Sequence, residues 1–143
     1  MVIIVSIPIA GFSNDLSDRF GIGLGHPYLA LKYGFNPKLS GEVRAAFGEG
    51  ITVYGVRAYY NFNPESMSVL FLGLEGDGVT FDKGDMAGTG FVLMPFVGIE
   101  HFITESLTFN FDIGPAYISL ESEGVSVRGI EWVYNLGINF YLK

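Results

Sequence analysis

The stretch from Ser126 to Lys143 (SVRGIEWVYNLGINFYLK) constrains the fold more than any other part of the chain. Large apolar or aromatic side chains occupy every second position, namely Ile130, Trp132, Tyr134, Leu136, Ile138, Phe140 and Leu142. The intervening positions carry mostly Gly, Asn and Glu, with Val and Tyr. A period of two is typical of a β-strand rather than a helix. Because the apolar face is continuous and the other is small and polar, the pattern favours a strand between lipid and a narrow polar lumen.

The composition of the chain also favours strands. The 143 residues are 49% hydrophobic, but they include no uninterrupted apolar run of the roughly 18 residues that a membrane-spanning helix needs. The length suits one domain. A net charge of −7 argues against a nucleic-acid partner, because no basic stripe is present to neutralise phosphates. The absence of cysteine excludes disulfides and thiolate metal sites.

The N-terminus has a different pattern from the rest of the chain. Met1 to Ala10 (MVIIVSIPIA) is an apolar run, and Gly11-Phe12-Ser13 follows it. This order predicts the remnant of a secretory signal peptide over residues 1–13, which implies export. A strand over Val2 to Phe12 is the alternative. The main domain is predicted to cover residues 19–143.

From residue 19 onward, turn-forming residues divide the chain into four hairpins. Three hairpins are followed by short polar stretches at Asn36-Pro37-Lys38, Asn63 to Ser66, and Thr104-Glu105-Ser106, where Pro fixes φ and Asn or Ser can bond to the backbone. Each hairpin also has a break halfway along it. The predicted strands cover residues 20–25, 28–35, 39–48, 51–62, 67–79, 89–102, 107–120 and 126–143. At His26-Pro27 a bulge in one long strand is the alternative to a turn.

Eight antiparallel strands with one apolar face predict closure into a ring. An open sheet would leave two unpaired edges, and unsatisfied backbone groups are not tolerated in hydrocarbon. We therefore predict an all-β fold, an eight-stranded antiparallel up-and-down transmembrane β-barrel. The lipid-facing aromatic residues are predicted to include Tyr54, Tyr60, Phe62, Phe109, Phe111, Trp132, Tyr134 and Phe140. Several of them lie near the end that carries the polar turns, as an interfacial belt on the periplasmic side would.

The region from Arg19 to Lys143 resembles the small eight-stranded outer-membrane barrels of the OmpA/OmpX-like kind. The resemblance rests on the alternation, the short turns at one end, and the final strand IEWVYNLGINFYLK. It implies a monomer without a cofactor in the outer membrane of a Gram-negative-type bacterium. The implied partners are outer-membrane lipid, lipopolysaccharide and the outer-membrane assembly machinery. That family commonly ends in Phe, whereas Leu142-Lys143 follows the last aromatic residues here.

The lumen of an eight-stranded barrel is only wide enough for side chains. The inward positions are predicted to carry eight charged residues: Lys32, Glu42, Arg44, Arg57, Glu75, Glu100, Asp112 and Glu131. An unpaired buried charge costs several kcal/mol, so these residues are predicted to form a hydrogen-bonded network across the lumen. The excess of carboxylates implies trapped water or a protonated carboxyl group. The protein would then be plugged and structural rather than a pore, with a path for protons or small solutes as the alternative.

A weaker candidate site lies in the outer connection predicted between residues 75 and 88. Asp77, Asp82 and Asp85 lie there with a single cation, Lys83. Carboxylate oxygens suit Mg²⁺ or Ca²⁺, which could bridge lipopolysaccharide phosphates. A solvated acidic loop is the alternative, because the spacing does not match a calcium-binding loop.

A lipid-modifying enzyme and a soluble ligand-binding barrel are the alternatives to a structural barrel. A lipid-modifying enzyme would need a His, a Ser and an acid at a rim that faces lipid. His101 follows Glu100, but adjacent strand residues point to opposite faces, and His26 lies in a tight turn without an alternating Ser. A soluble lipocalin-like barrel would place its large apolar residues inside, where this chain has charges. Neither an enzyme nor a soluble barrel is predicted.

Overall fold

The computed structural model describes residues 15–26 and 28–142. These residues form eight antiparallel strands in one closed barrel, in which each strand pairs with its neighbours in sequence and the last pairs with the first. The strands are β1 (Phe20–Gly25), β2 (Tyr28–Gly34), β3 (Leu39–Gly48), β4 (Ile51–Asn61), β5 (Ser68–Lys83), β6 (Met86–Phe102), β7 (Leu107–Ser122) and β8 (Val125–Tyr141). The predicted fold class is confirmed. No helix in the described residues is long and apolar enough to cross a membrane.

Burial alternates along the strands, with the large apolar side chains on the outside. Trp132 and Ile130 on β8 are 73% and 72% exposed, whereas Asn139 on the inner face of the same strand is 2% exposed. All of the aromatic residues predicted to face lipid lie on the outer surface: Tyr54, Tyr60, Phe62, Phe109, Phe111, Trp132, Tyr134 and Phe140. A water-soluble protein rarely exposes so continuous an apolar surface.

The two ends of the barrel carry different connections. The upper end has two-residue connections, and the left-handed φ angles of 70° at Gly50 and 81° at Gly124 permit such tight turns. The lower end carries both described termini and three longer connections, such as the one in which Asn36 Oδ1 accepts hydrogen bonds from two backbone N–H groups. β1 and β2 pair antiparallel on either side of His26-Pro27. This connection is therefore a turn rather than a bulge, although Pro27 itself lies outside the described residues.

The prediction of an outer loop between residues 75 and 88 is wrong. β5 and β6 remain paired up to Lys83↔Met86, so the connection consists of Gly84 and Asp85 alone. The Gly and Asp residues of this stretch resemble a loop in composition, but backbone pairing with β4 and β6 keeps them extended. The space above Gly78 is also occupied. This residue lies under the Tyr54 ring, and a Cβ atom there would come within 2.7 Å of the ring.

Residues just before the predicted domain boundary at residue 19 also contact the barrel. Leu16 is buried beneath the lower end of the barrel, and Ser17 forms a bridge with Gly34. The Asp18 backbone N–H also donates to the Gly34 carbonyl oxygen at 2.8 Å. The predicted signal remnant at residues 1–13, the alternative strand over Val2 to Phe12, and Lys143 lie outside the described residues.

The wall of the barrel is uneven because its strands differ greatly in length. β1 has 6 residues and β8 has 17. β1 pairs with β8 only from Gly21↔Tyr141 to Gly25↔Gly137. Above this seam, residues 125–135 of β8 have no partner strand on the β1 side within the described part of the chain. We call the resulting gap above the β1–β2 turn the lateral opening.

The outward position of Trp132 generates a prediction for its fluorescence. The single Trp of the chain is exposed on the outer face beside Ile130 and Tyr134, so lipid should surround it in a bilayer. We expect blue-shifted emission that is quenched by brominated lipid chains. Efficient quenching of the folded protein by aqueous iodide would contradict this placement.

Candidate functional site: the charge network of the lumen

Four of the lumen charges form a row that crosses the strand direction. Lys32 is the register partner of Glu42, Glu42 of Arg57, and Arg57 of Glu75, on the adjacent strands β2 to β5. All four side chains occupy inward positions and are buried. Cations and carboxylates alternate along the row, so each charge has an opposite charge on a neighbouring strand.

Arg57 lies at the centre of the network and is 3% exposed. Its Nη1 and Nη2 atoms donate to the two carboxylate oxygens of Asp112 at 2.8 and 2.7 Å. Its Nε atom donates to Glu75, and Nη1 also donates to the Tyr59 hydroxyl at 3.0 Å. The guanidinium carbon lies 3.8 Å from the centre of the Phe96 ring. The planar fork of arginine suits this bidentate and stacked arrangement, which the ammonium group of lysine could not form.

Arg44 links Glu42 and Glu75 on the inner face above Lys32. Its Nη2 atom lies 2.8 Å from Glu42 Oε1, and its Nη1 atom lies 3.5 Å from Glu75 Oε1. The guanidinium group stacks on Tyr28, with its carbon 3.7 Å from the ring centre. The Tyr59 hydroxyl donates to Glu42 Oε2 at 2.9 Å. Arg44 and Arg57 are therefore connected through the shared Glu75 carboxylate, and also through Glu42 and the Tyr59 hydroxyl.

Glu100 collects four hydrogen bonds nearer the lower end, where it is 2% exposed. Lys32 Nζ donates to its Oε2 atom at 2.7 Å. Thr108, Asn139 and the Tyr141 hydroxyl donate to its Oε1 atom at 2.7, 2.8 and 2.6 Å. These contacts satisfy a carboxylate that would otherwise be costly to bury.

Apolar side chains fill the space around the hydrogen-bond networks of Arg57 and Glu100. Tyr59, Phe71, Met94, Phe96 and Ala116 form one buried cluster at mid-height. Leu16, Val69, Phe102 and Tyr141 form a second cluster at the lower end. Phe102, whose position near the lower turns resembles that of a belt residue, is in fact 0% exposed. Hydrogen-bonded and apolar side chains together fill the lower half of the lumen.

The structure brings together seven of the eight predicted lumen charges: Lys32, Glu42, Arg44, Arg57, Glu75, Glu100 and Asp112. The prediction for Glu131 needs correction. It occupies an inward position on β8 but is exposed, and it forms no ion pair with any described residue. Glu131 lies above Gly137, the last β8 residue paired with β1, so no neighbouring strand on that side helps to bury it.

The sequence analysis assigned Asp77 to a loop and missed its place in the lumen. Asp77 is 9% exposed, and its Oδ1 atom has no hydrogen-bond partner within the described residues. Its position two residues after Glu75 on β5 would have indicated the same face. The polar partners Thr108, Asn135 and Asn139 were also missed, although they share the inward phase of Asp112 and Tyr141.

The predicted cation-binding loop is not present. Asp77 points into the lumen, Asp82 lies on the outer face of β5, and Asp85 lies in the two-residue turn. The side chains therefore diverge instead of sharing an ion. The described residues contain no cluster of three or more His, Cys, Asp or Glu side chains that could hold a metal.

A Ser–His pair lies outside the lumen, and the sequence analysis also missed it. Ser68 and His101 are register partners on β5 and β6, with Ser68 Oγ 2.8 Å from His101 Nδ1. Their alternation with Val69 and Glu100 places them on the outer face near the lower end. Glu100 points into the lumen, as predicted, and already accepts four hydrogen bonds there.

Comparison with known proteins identifies a fold rather than a family. No protein-family model matches the chain, and no curated protein matches its sequence. The fold is similar to the N-terminal β-barrel domain of Pseudomonas aeruginosa OprF, with a TM-score of 0.53 and 14% identity over 87% of this chain and 94% of that one. The KdgM porin, solved with disordered oligogalacturonate, matches with a TM-score of 0.30 and 10% identity over 87% of this chain and 98% of that one. The latter score is too low to support a structural argument.

The Arg57 contacts predict a large loss of stability in Arg57→Ala. Removal of the guanidinium leaves Asp112 and Glu75 without their shared cation, and the free energy of unfolding should fall by roughly 3 kcal/mol. Equilibrium unfolding in urea with lipid vesicles would measure the change. Arg128→Ala is the matched control, because Arg128 is exposed on the upper part of β8.

A second substitution tests whether the loss comes from the ion pair. In Arg57→Ala/Asp112→Asn the unpaired carboxylate is removed, so part of the lost stability should return. Strictly additive costs for the two substitutions would contradict the coupling.

Proposed function

We propose that the chain is a non-conducting barrel of the outer membrane of a Gram-negative-type bacterium, with a structural or surface-interaction role. The observation that carries the proposal is a closed barrel whose outer face is apolar and whose lumen is charged. Such a surface has no counterpart in a water-soluble barrel, and a closed ring leaves few backbone groups unpaired in lipid.

The contents of the lumen support a structural role over transport. Ions crossing the barrel would have to pass the contacts of Arg57 with Asp112 and of Lys32 with Glu100. They would also have to pass the apolar cluster around Leu16 and Phe102 at the lower end. Displacing these side chains would expose buried charges, which costs several kcal/mol for each broken pair.

The orientation and partners of the barrel form part of the same proposal. We place the lower end, with both described termini, on the periplasmic side, and the two-residue turns on the outer side. The outer face would then contact outer-membrane lipid and lipopolysaccharide. The β8 strand would be recognised by the assembly machinery, and the barrel would be a monomer without nucleic acid or cofactor.

We propose no enzymatic activity. The Ser68–His101 pair lies on a regular stretch of the β5–β6 ladder, where backbone N–H groups are committed to strand pairing. An acyl-transfer site would need free donors for a developing oxyanion. A structural hydrogen bond between the neighbouring strands β5 and β6 is the simpler role for this pair.

Planar-bilayer recordings test the non-conducting state. The parent protein is expected to insert without steady conductance, because the lower lumen is occupied by paired side chains. Lys32→Ala/Glu100→Ala removes one complete ion pair and should show intermittent conductance, which establishes that the assay can detect an opened lumen. Steady, ion-selective conductance of the parent would overturn the proposal.

Membrane fractionation tests the location independently of conductance. The parent protein should remain in the outer-membrane fraction after alkaline carbonate washing, since its apolar outer face would be immersed in hydrocarbon. Recovery of the folded protein in the soluble fraction without detergent would favour a soluble ligand-binding barrel instead.

A further inference from the structure

The inner face of the barrel changes from charged to apolar above Asp77. Ile51, Val79, Phe81, Leu120 and Val127 line a cavity of about 480 Å³ between the upper parts of β4, β5, β7 and β8. We call this cavity the upper trough. Its volume lies in the range of about 300 to 1,000 Å³ that is typical of small-molecule sites.

The upper trough is next to the lateral opening. The wall is incomplete there because β1 and β2 end far below the top of β8. The last backbone contact across the seam is from the His26 N–H to the Leu136 carbonyl oxygen at 3.3 Å. Above it, Ile130 and Trp132 cover the outer face of the same β8 segment. A molecule dissolved in the surrounding lipid could therefore move from the outer surface of β8 into the trough.

The charges that face this route are mostly negative. Glu131 lies on the inner side of the unpaired β8 segment and has no ion pair among the described residues. Asp85 and Glu123 lie at the upper rim, and Lys83 is the cation among the described lining residues of the trough.

The cations lower in the barrel do not compensate these carboxylates. Lys32 is bound to Glu100, and Arg57 is bound to Asp112 and Glu75. Arg44 is shared between Glu42 and Glu75. An apolar cavity with unpaired carboxylates at its rim and mouth is complementary to a positive charge on an apolar body.

We propose that the upper trough binds a small hydrophobic cation, an apolar molecule with one fixed positive charge, that arrives through the lateral opening. Phosphate-bearing lipid headgroups would meet like charges at Glu131, Asp85 and Glu123. A neutral chain would gain the apolar contacts but no electrostatic contribution. The inference goes beyond the proposed function and uses the membrane placement only for the route.

Three probes with one chain length separate the contributions of charge and apolar contact. Octyltrimethylammonium, octanol and octanoate would be titrated into protein embedded in phosphatidylcholine nanodiscs, whose lipid carries no net charge. Saturable shifts of the ¹³C-methyl signals of Val79, Leu120 and Val127 report binding in the trough. We expect the affinity to fall in the order octyltrimethylammonium, octanol, octanoate.

Two pairs of matched variants test the site. Val127→Trp fills the trough and should lower the affinity for octyltrimethylammonium at least about tenfold, equivalent to roughly 1.4 kcal/mol. Ile130→Trp, on the outer face of the same strand, should leave it unchanged. Glu131→Gln should lower the affinity for the cation about threefold, the scale of one partly exposed ion pair, and leave octanol unaffected. Glu121→Gln is its control, because Glu121 lies on the outer face of β7.

Several results would overturn the inference. Equal affinities for octyltrimethylammonium and octanol would indicate a neutral chain, and tighter binding of octanoate would exclude a cation. Absence of saturable shifts would show that the trough binds none of the three probes. Self-association in detergent that Val127→Trp abolishes would assign the trough to a second copy. Conductance and fractionation remain separate measurements, so failure of the ligand proposal and failure of the proposed function can be distinguished.

Discussion

The structure depends on closure of the backbone hydrogen-bond ladder between β8 and β1. In hydrocarbon every backbone N–H and C=O group needs a partner, so an open sheet of eight strands could not remain in a bilayer. Here closure rests on five register pairs, from Gly21↔Tyr141 to Gly25↔Gly137. The Arg19 side chain supplements the seam, since its Nε atom donates to the Leu142 carbonyl oxygen at 3.4 Å.

Closure at eight strands in turn determines the chemistry of the interior. The ring is too narrow for bulk water, so inward side chains must fill it and satisfy one another. Within the register row from Lys32 to Glu75, Arg57 and Glu75 form an ion pair between the adjacent strands β4 and β5. Arg57 and Asp112 extend this pairing across the lumen from β4 to β7. The network therefore joins strands that are not neighbours in the barrel wall.

The sequence was sufficient for the strand pattern because the period of two is a local property. The predicted limits of β1 and β3 agree with the structure at both ends, at Phe20–Gly25 and Leu39–Gly48. The upper part of β5 was misassigned because its Gly and Asp residues have turn-like composition, and only pairing with neighbouring strands keeps them extended. The composition of a segment alone does not show how pairing with neighbouring strands will stabilise it.

The charged site was predictable as a set of inward residues but not as a set of partners. The alternation with period two places Arg57 and Glu131 on the inner face, so it predicts that both are lumen charges with partners. The short β1 then separates them, because Arg57 meets Asp112 across the lumen, whereas β8 has no partner strand on the β1 side at the height of Glu131. The partners of Glu100 likewise come from three strands, and two of them, Lys32 on β2 and Asn139 on β8, are 68 and 39 residues away in sequence.

The change in the inner face of β5 follows the change in the wall around it. Glu75 and Asp77 face the charged part of the lumen, whereas Val79 and Phe81 face the trough beside the lateral opening. Below the opening, opposite strands can supply counter-charges, and polar side chains are stabilised by pairing. At the height of the opening the neighbouring strands β1 and β2 are absent, and a lining exposed only to water would favour polar residues. Apolar residues at this level indicate that the upper inner face is suited to contact apolar matter through the incomplete wall.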